Sequence, residues 1–228
     1  MRVLIAGAGR GGLSLAVDLQ SNGNVVTMVE RDETIARRAS DEHGIVVLVG
    51  DATDAGVLRQ AAPERSDAVL AMLHRDADNL AVAMLARALG ANRVMVRMRD
   101  PEYRAVYESA GVQQILSETE MLVGALAAAV QFAAIRHSMV LGSGESIAFE
   151  IAVPKGAWVN GRTIGDVATS KRFPSSCVIA GMTLGGSVQA PRGGSTIDAG
   201  MQLLVVSSRA DLEATVSFFL RAREDGEG

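Results

Sequence analysis

The sequence predicts an α/β protein, a doubly wound parallel sheet followed by a small α+β module. Three observations predict it. Short apolar strands alternate with helical stretches through residue 116, a glycine-rich turn follows the first strand, and after Met139 helices give way to short strands with Gly and Pro turns. Parallel strands joined by helices demand right-handed crossovers and a sheet covered on both faces.

The elements follow in order. Val3 to Ala6 reads as the first strand, Gly7-Ala8-Gly9-Arg10-Gly11-Gly12 as a turn opening a helix, and Val25 to Val29 as the second strand, ending at Glu30. This is the spacing of a dinucleotide fingerprint. Gly7 permits the tight turn, Gly9 lets backbone approach a pyrophosphate, and Gly12 lets helix and strand pack closely. Phosphate would sit on the helix N-terminus, where unpaired amides and the helix dipole favour an anion, and Glu30 lies where a carboxylate can accept from ribose hydroxyls.

Thr34 to His43 reads as a helix closed by Gly44, and Ile45 to Val49 as a third strand running into Gly50-Asp51-Ala52-Thr53, with Thr53 a cap for the next short helix. Asp67 to Met72 is a fourth strand, Asp76 to Leu89 a helix ended by Gly90, and Arg93 to Met98 a fifth strand. Asp100-Pro101 supplies an N-cap and a first-position proline for a helix that stops at Gly111, before a sixth strand from Val112 to Leu116. Met121 to Ile135 is nearly all apolar, shorter than the roughly 20 residues that span a bilayer, and reads as a buried helix with Ser117 and Glu120 as its capping box. Apolar residues on almost every side imply cover from another domain, another subunit or a single core. A joint at Gly142-Ser143-Gly144 precedes strands at Ile147 to Val153, Cys177 to Thr183 and Met201 to Ser207, a short helix at Thr163 to Ala168, and a closing amphipathic helix at Ala210 to Arg221. Leu184-Gly185-Gly186 reads as a hairpin turn, and Arg223 to Gly228 as a polar tail.

Composition excludes several function classes. A net charge of -4 with no basic stripe argues against a nucleic-acid partner. The single Cys177 excludes a disulfide framework and a multi-cysteine metal site, and no metal is expected. An N-terminus that enters a strand directly, without a secretory signal, fits a cytoplasmic location.

Together, GAGRGG after the first strand, GDAT at Gly50 to Thr53, Asn79 opening the fourth helix, Arg97-Met98-Arg99-Asp100-Pro101-Glu102-Tyr103 after the fifth strand and a small βαβββα tail carry a resemblance. The chain resembles, over residues 1 to 222, the RCK or KTN family, the TrkA-type regulatory subunits of Trk and Ktr potassium-uptake systems. The resemblance implies a Rossmann-like nucleotide-binding RCK-N (TrkA-N) domain over 1–116, a crossover helix and linker over 117–141, and an RCK-C (TrkA-C)-like module over 142–228. It implies a non-catalytic subunit that gates a membrane potassium transporter through ligand-dependent change of a ring. Homodimers would assemble into a tetramer or octameric ring, peripheral at the inner face of the membrane.

The same resemblance implies residue roles. Arg10 would face the phosphates, Glu30 hold the adenosine ribose, Asp51 and Ala52 approach the adenine, and Arg97 or Arg99 reach phosphates of their own or a neighbouring subunit. The residues agree in part on physical grounds. Arg10 lies inside the phosphate loop, where a guanidinium can pair bidentately, and Asp51 lies at a strand's carboxyl end, where open sheets bind ligands. Asp51 also reads as a cap in a turn, and Arg97 and Arg99 as a solvated strand edge. Leu73-His74-Arg75 departs from the family, whose members often carry Thr or Ser and an acid there. Glu30 repels a 2′-phosphate, tempered by adjacent Arg31, which disfavours NADP; NAD(H) is slightly favoured, with ATP/ADP open. The rival reading is a small NAD-dependent oxidoreductase, because the same fold serves both purposes. It lacks a catalytic pair: Tyr103 and Tyr107 have no lysine four residues on, and His43, His74 and His137 are scattered. An assembly protein with a vestigial pocket is a third reading.

Overall fold

The computed structural model describes residues 1–142 and 144–223, and it divides into two compact units between Thr119 and Glu120. Ser143 of the expected joint and the tail beyond Arg223 lie outside the described residues.

The first unit runs β1 (Arg2–Ala6), α1 (Arg10–Ser21), β2 (Val25–Glu30), α2 (Glu33–His43), β3 (Val46–Val49), α3 (Ala55–Gln60), β4 (Ala68–Ala71), α4 (Asp76–Ala88), β5 (Val94–Met98), α5 (Arg104–Ser109) and β6 (Gln114–Ser117). Its six strands are parallel in the order β3-β2-β1-β4-β5-β6, so the chain winds one way from β1 to β3 and the other way from β4 to β6. The strands are apolar throughout because both faces are covered. Leu4, Ala6, Val69 and Val96 pack on one side and Ile5, Met28 and Leu70 on the other.

Local chemistry fixes the helix starts. Asp32 caps α2 by accepting from the Thr34 and Ile35 amides, so the helix begins at Glu33 rather than Thr34. The expected Thr53 cap is corrected: Asp54 accepts from the Gly56 and Val57 amides and starts α3. Thr53 instead donates both its amide and its hydroxyl to Asp51. Asp100 caps the turn at Pro101–Tyr103 that leads into α5.

Helix α6 (Glu118–Gln131) starts three residues earlier than expected and stops four earlier, because Ile135 opens a strand. It is also less buried than its composition suggests. Gly124 and Ala128 are buried, whereas Met121, Leu122, Val123, Leu126 and Val130 are exposed, Val130 by 84%. The reading of 135–141 as helix end and linker is likewise corrected. These residues form β7 (Ile135–Leu141), which pairs antiparallel with β8 (Ser146–Ala152).

The second unit continues with β9 (Arg162–Thr163), α7 (Ile164–Ala168), β10 (Val178–Leu184), β11 (Ser187–Gln189), β12 (Thr196–Ile197), β13 (Gln202–Ser208) and α8 (Leu212–Leu220). Its main sheet is antiparallel, β11-β10-β13-β8-β7, with β12 and β9 paired separately. One sheet face, carrying Ile147, Phe149, Ile151, Leu203 and Val205, packs with Val216 and Phe219 of α8, and Trp158 joins the same core. Among the described residues no helix is long and apolar enough to cross a membrane.

Candidate nucleotide-binding site

The carboxyl edge of the parallel sheet gathers most of the residues singled out by the sequence. Backbone bonds fix its contour: Gly7 N donates to Val29 O at 2.8 Å, Gly50 N to Glu30 O at 2.9 Å, and Met72 N to Ala6 O at 2.9 Å. The turns after β1, β2, β3 and β4 therefore lie side by side. The winding reverses between β1 and β4, and open α/β sheets bind ligands in the crevice at that reversal.

Each glycine of the loop has a distinct physical reason. Gly7 stands at φ +104°, closed to ordinary side chains, and a Cβ there would also lie 3.1 Å from Met72 O. Gly12 admits no Cβ, which would sit 2.1 Å from Gly7 O. This contact is the close packing of helix on strand. Gly9 is the opposite case, with nothing within 4 Å of where its Cβ would stand. It occupies the N-cap of α1 without a side-chain cap, so the first-turn amides look into open space. Gly11 and Arg10 are exposed beside it.

Glu30 closes the loop from the neighbouring strand. Its Oε2 accepts from Ala8 N at 2.7 Å and its Oε1 from Asp32 N at 2.9 Å. One side chain thus ties the glycine turn to the β2–α2 turn. Arg31 is exposed next to it. Asp51 accepts from Thr53 N at 2.9 Å and Thr53 Oγ1 at 2.7 Å. These two bonds, with the nearby Arg31 charge, hold its carboxyl below the ordinary range. Its turn-forming role is therefore real, and it leaves the exposed carboxylate edge free for further contacts. Ala52 is buried in the core, so it offers a ligand little surface of its own.

Arg97 is not the solvated strand edge that was one reading of it, whereas Arg99 is exposed, its side chain by 45%. Arg97 donates from Nη2 to Leu73 O at 2.8 Å, its side chain is 21% exposed, and its buried Nε has no hydrogen-bond partner. Its Nη1 stands 3.7 Å from Glu118 Oε2, and Arg99 Nε stands 3.6 Å from the same oxygen. Arg99 Nη1 also lies 3.2 Å from the His74 ring nitrogens.

A buried scaffold stands behind the two arginines. Asn79 accepts from Leu73 N and donates to Leu73 O and Arg97 O, locking the turn after β4 to β5. Asp76 accepts from Arg99 N, Asp100 N and the Tyr107 hydroxyl. Burial, with the Asp76 charge beside it, pushes the Tyr107 hydroxyl well above the ordinary tyrosine range. Sequence reasoning missed Asp76, Tyr107 and Glu118. Asp76 had one legible signal, an acid at the first position of a helix. Glu118 is likewise the first residue of its helix, but nothing local points to its partners, which lie about 20 residues earlier on another element.

This fold and edge define a class: proteins that carry a doubly wound, dinucleotide-type domain with an open glycine loop ahead of a small antiparallel module. The TrkA-N domain matches residues 3–118 and the TrkA-C domain residues 148–220, and the chain belongs to the TrkA-N family. It is 30% identical over 223 residues to a Trk system potassium uptake protein TrkA homolog of Archaeoglobus fulgidus, covering 96% of this chain and 50% of that one. The chain thus spans about half the length of that relative. It is 27% identical over 219 residues to a TrkA homolog of Methanothermobacter thermautotrophicus, covering 96% of this chain and 99% of that one. Among solved structures, a GsuK channel bound to NAD shares the fold with a TM-score of 0.68 and 20% identity, over 98% of this chain and 40% of that one.

Proposed function

We propose that this chain is a non-catalytic, nucleotide-binding regulatory subunit that gates a membrane potassium transporter or channel of the Trk or Ktr type. The observation that carries the reading is the uncapped first turn of α1 facing open space over Gly9 at the winding reversal. That arrangement fits a pyrophosphate, whose oxygens replace the missing cap. Gly7, Gly9, Gly11 and Gly12 form the cradle, and exposed Arg10 supplies a cation to it. Glu30 spends two acceptor sites on backbone amides, and a carboxylate has about four, so it retains capacity for ribose hydroxyls. Asp51 and the Ala52 backbone border the base, Arg31 borders the ribose side, and Arg97 and Arg99 serve distal phosphate.

NAD(H) is the favoured ligand, with ATP or ADP second. The NAD carried by the structurally similar GsuK channel supports this order, as does the complete fingerprint ending in Glu30. The names of the TrkA relatives support the potassium-transport partner. The exposed apolar face of α6 supports the homodimer and its assembly into a ring, peripheral to the membrane through the partner.

The oxidoreductase reading loses its best acid. Tyr107 is fully buried and donates to Asp76 O and Oδ1, which removes it from any substrate. Calorimetric titration with NADH, NAD, NADPH, ATP and ADP tests the proposal, repeated on Arg10→Ala and Glu30→Ala. Micromolar binding of NAD(H) or adenine nucleotide without turnover, lost in both variants, is the expected result. Preference for NADPH, or no binding at all, overturns it.

A further inference from the structure

β3 ends the parallel sheet, and no strand lies beside it among the described residues. Sheet edges are usually blunted by charge, proline or a bulge, because unpaired amides and carbonyls there template association. The other edge strands of the two larger sheets follow that rule. β6 carries Gln114 and Ser117, β11 carries Ser187 and Gln189, and β7 carries Arg136 and His137 and shifts register between Ile135 and Ser138. β3 has none of these devices. It is Val46-Val47-Leu48-Val49, paired with β2 in unbroken register, with Val46 exposed by 65% and Val49 by 52%.

The backbone sets which groups the edge offers. Gly50 N donates to Glu30 O, so by alternation Leu48 and Val46 bond toward β2, while the amides and carbonyls of Val47 and Val49 point out of the sheet. An antiparallel copy of the strand centred on Leu48 sets Val47 opposite the copy's Val49, and the reverse. Each of these pairs exchanges both of its main-chain hydrogen bonds.

The helix over this edge fits the same two-fold axis. Ala39 of α2 packs in one cluster with Val26, Met28 and Val47, so α2 covers β2 and β3. Two copies of α2 would then run antiparallel on one side of the joined sheet, at about the 8–10 Å of packed helices. Along α2, exposed Glu33, Arg37 and Asp41 stand four residues apart in one row, acid, base, acid. Arg37 bonds Glu33 at 2.9 Å, and Asp41 has no partner among the described residues. Reversing that row sets Arg37 against the copy's Asp41. A surface that meets its own copy must be complementary to itself, and both the strand and the row are.

We propose that the β3–α2 edge is a self-association surface, on which a second copy of this chain pairs its β3 antiparallel to β3 and sets Asp41 against Arg37. The contact is additional to the α6 homodimer and independent of nucleotide. A chain with both surfaces joins dimers to one another.

The test is sedimentation velocity on the full chain carrying Leu126→Lys and Val130→Lys on α6, with and without Val46→Lys and Val49→Lys. All four side chains are exposed, and circular dichroism melts check that each protein folds. The α6 variant remains a dimer, and adding the β3 lysines makes it a monomer. In the α6 variant, Arg37→Asp raises the dissociation constant about tenfold, and Asp41→Arg added to it restores the original value. In the wild type the Val47 and Val49 amides exchange slowly when concentrated and faster on dilution, while those of Val46 and Leu48 stay protected throughout. A monomeric α6 variant, a dimer indifferent to the β3 lysines, or exchange at Val47 and Val49 that ignores concentration overturns the proposal. Protection there that appears only with a membrane partner assigns the edge to an extended segment of that partner, and likewise overturns self-pairing.

Discussion

Gly9 and Gly12, three residues apart in the same loop, should respond to substitution in opposite ways, because packing forbids a side chain at Gly12 and leaves room for one at Gly9, where the proposed phosphate would sit. A Cβ on Gly12 would stand 2.1 Å from Gly7 O, about 1.3 Å inside ordinary contact, and both groups are backbone. Gly12→Ala must therefore push α1 off β1, at about 1–3 kcal/mol. For a unit of this size that lowers Tm by about 5–15 °C. Gly9 has a φ of -58° and a ψ of 173°, open to any residue, and nothing within 4 Å of its Cβ position. Gly9→Asp adds a favoured N-cap residue, so Tm holds or rises by a degree or two. The same carboxylate takes the first-turn amides and repels phosphate. Losing one or more charge-assisted hydrogen bonds, each worth about 1.5–3 kcal/mol, weakens NAD binding at least about tenfold. Circular dichroism melts and calorimetric NAD titration read both quantities. Wild-type NAD affinity in Gly9→Asp refutes the phosphate cradle, and a Gly12→Ala melt within 2 °C of wild type refutes the packing argument.

Other substitutions probe the supports. Ala62 holds a left-handed φ of 52°, so Ala62→Gly should raise stability by about 0.5–1 kcal/mol in denaturant melts. Tyr107→Phe removes the hydroxyl bonded to Asp76 O and Oδ1, and should cost about 1–2 kcal/mol by the same assay. Asp51, Asp166 and Asp211 all have carboxyls held below 3.8, by Thr53, by Thr163 and by Ser176 with Ser208 respectively. Their stabilisation is full above that value and is lost as pH falls through the lower folded pKa values, so Asp211→Asn should flatten the acid limb of a Tm-against-pH curve. Burial pushes the Cys177 thiol up to about 12, so it should resist alkylation at pH 8 until the chain unfolds, as timed reagent labelling would read.

The parallel sheet was legible because its strands are short and mostly apolar, those of its first half each closed by glycine or an acid at Gly7, Glu30 and Gly50, and sheets covered on both faces leave that mark. β7 was not. Residues 135–141 follow an alanine-rich helix and include Arg136, His137 and Ser138, so their alternation is weak and hydropathy extends the helix into them. β9 and β12 are two residues each, too short for any periodicity to register. The exposure of α6 was hidden for a different reason. Apolar composition reports that a helix seeks cover, and it carries no information about which surface supplies it.

The site divides along the same line. Gly7, Gly9, Gly12 and Glu30 announce themselves because their constraints act within one strand–turn–helix unit, where spacing in sequence is spacing in space. The network behind Arg97 and Arg99 joins the turn after β4, the end of β5, α5 and the start of α6, with partners 18 to 31 residues apart. Nothing local distinguishes Glu118 from any acid at a helix start, where a carboxylate already has a sufficient reason in the helix dipole. Only the fold shows that its oxygen stands between two arginines. Residues whose constraints act within one unit are therefore readable from motif spacing, whereas residues joined across elements emerge only when those elements are assembled.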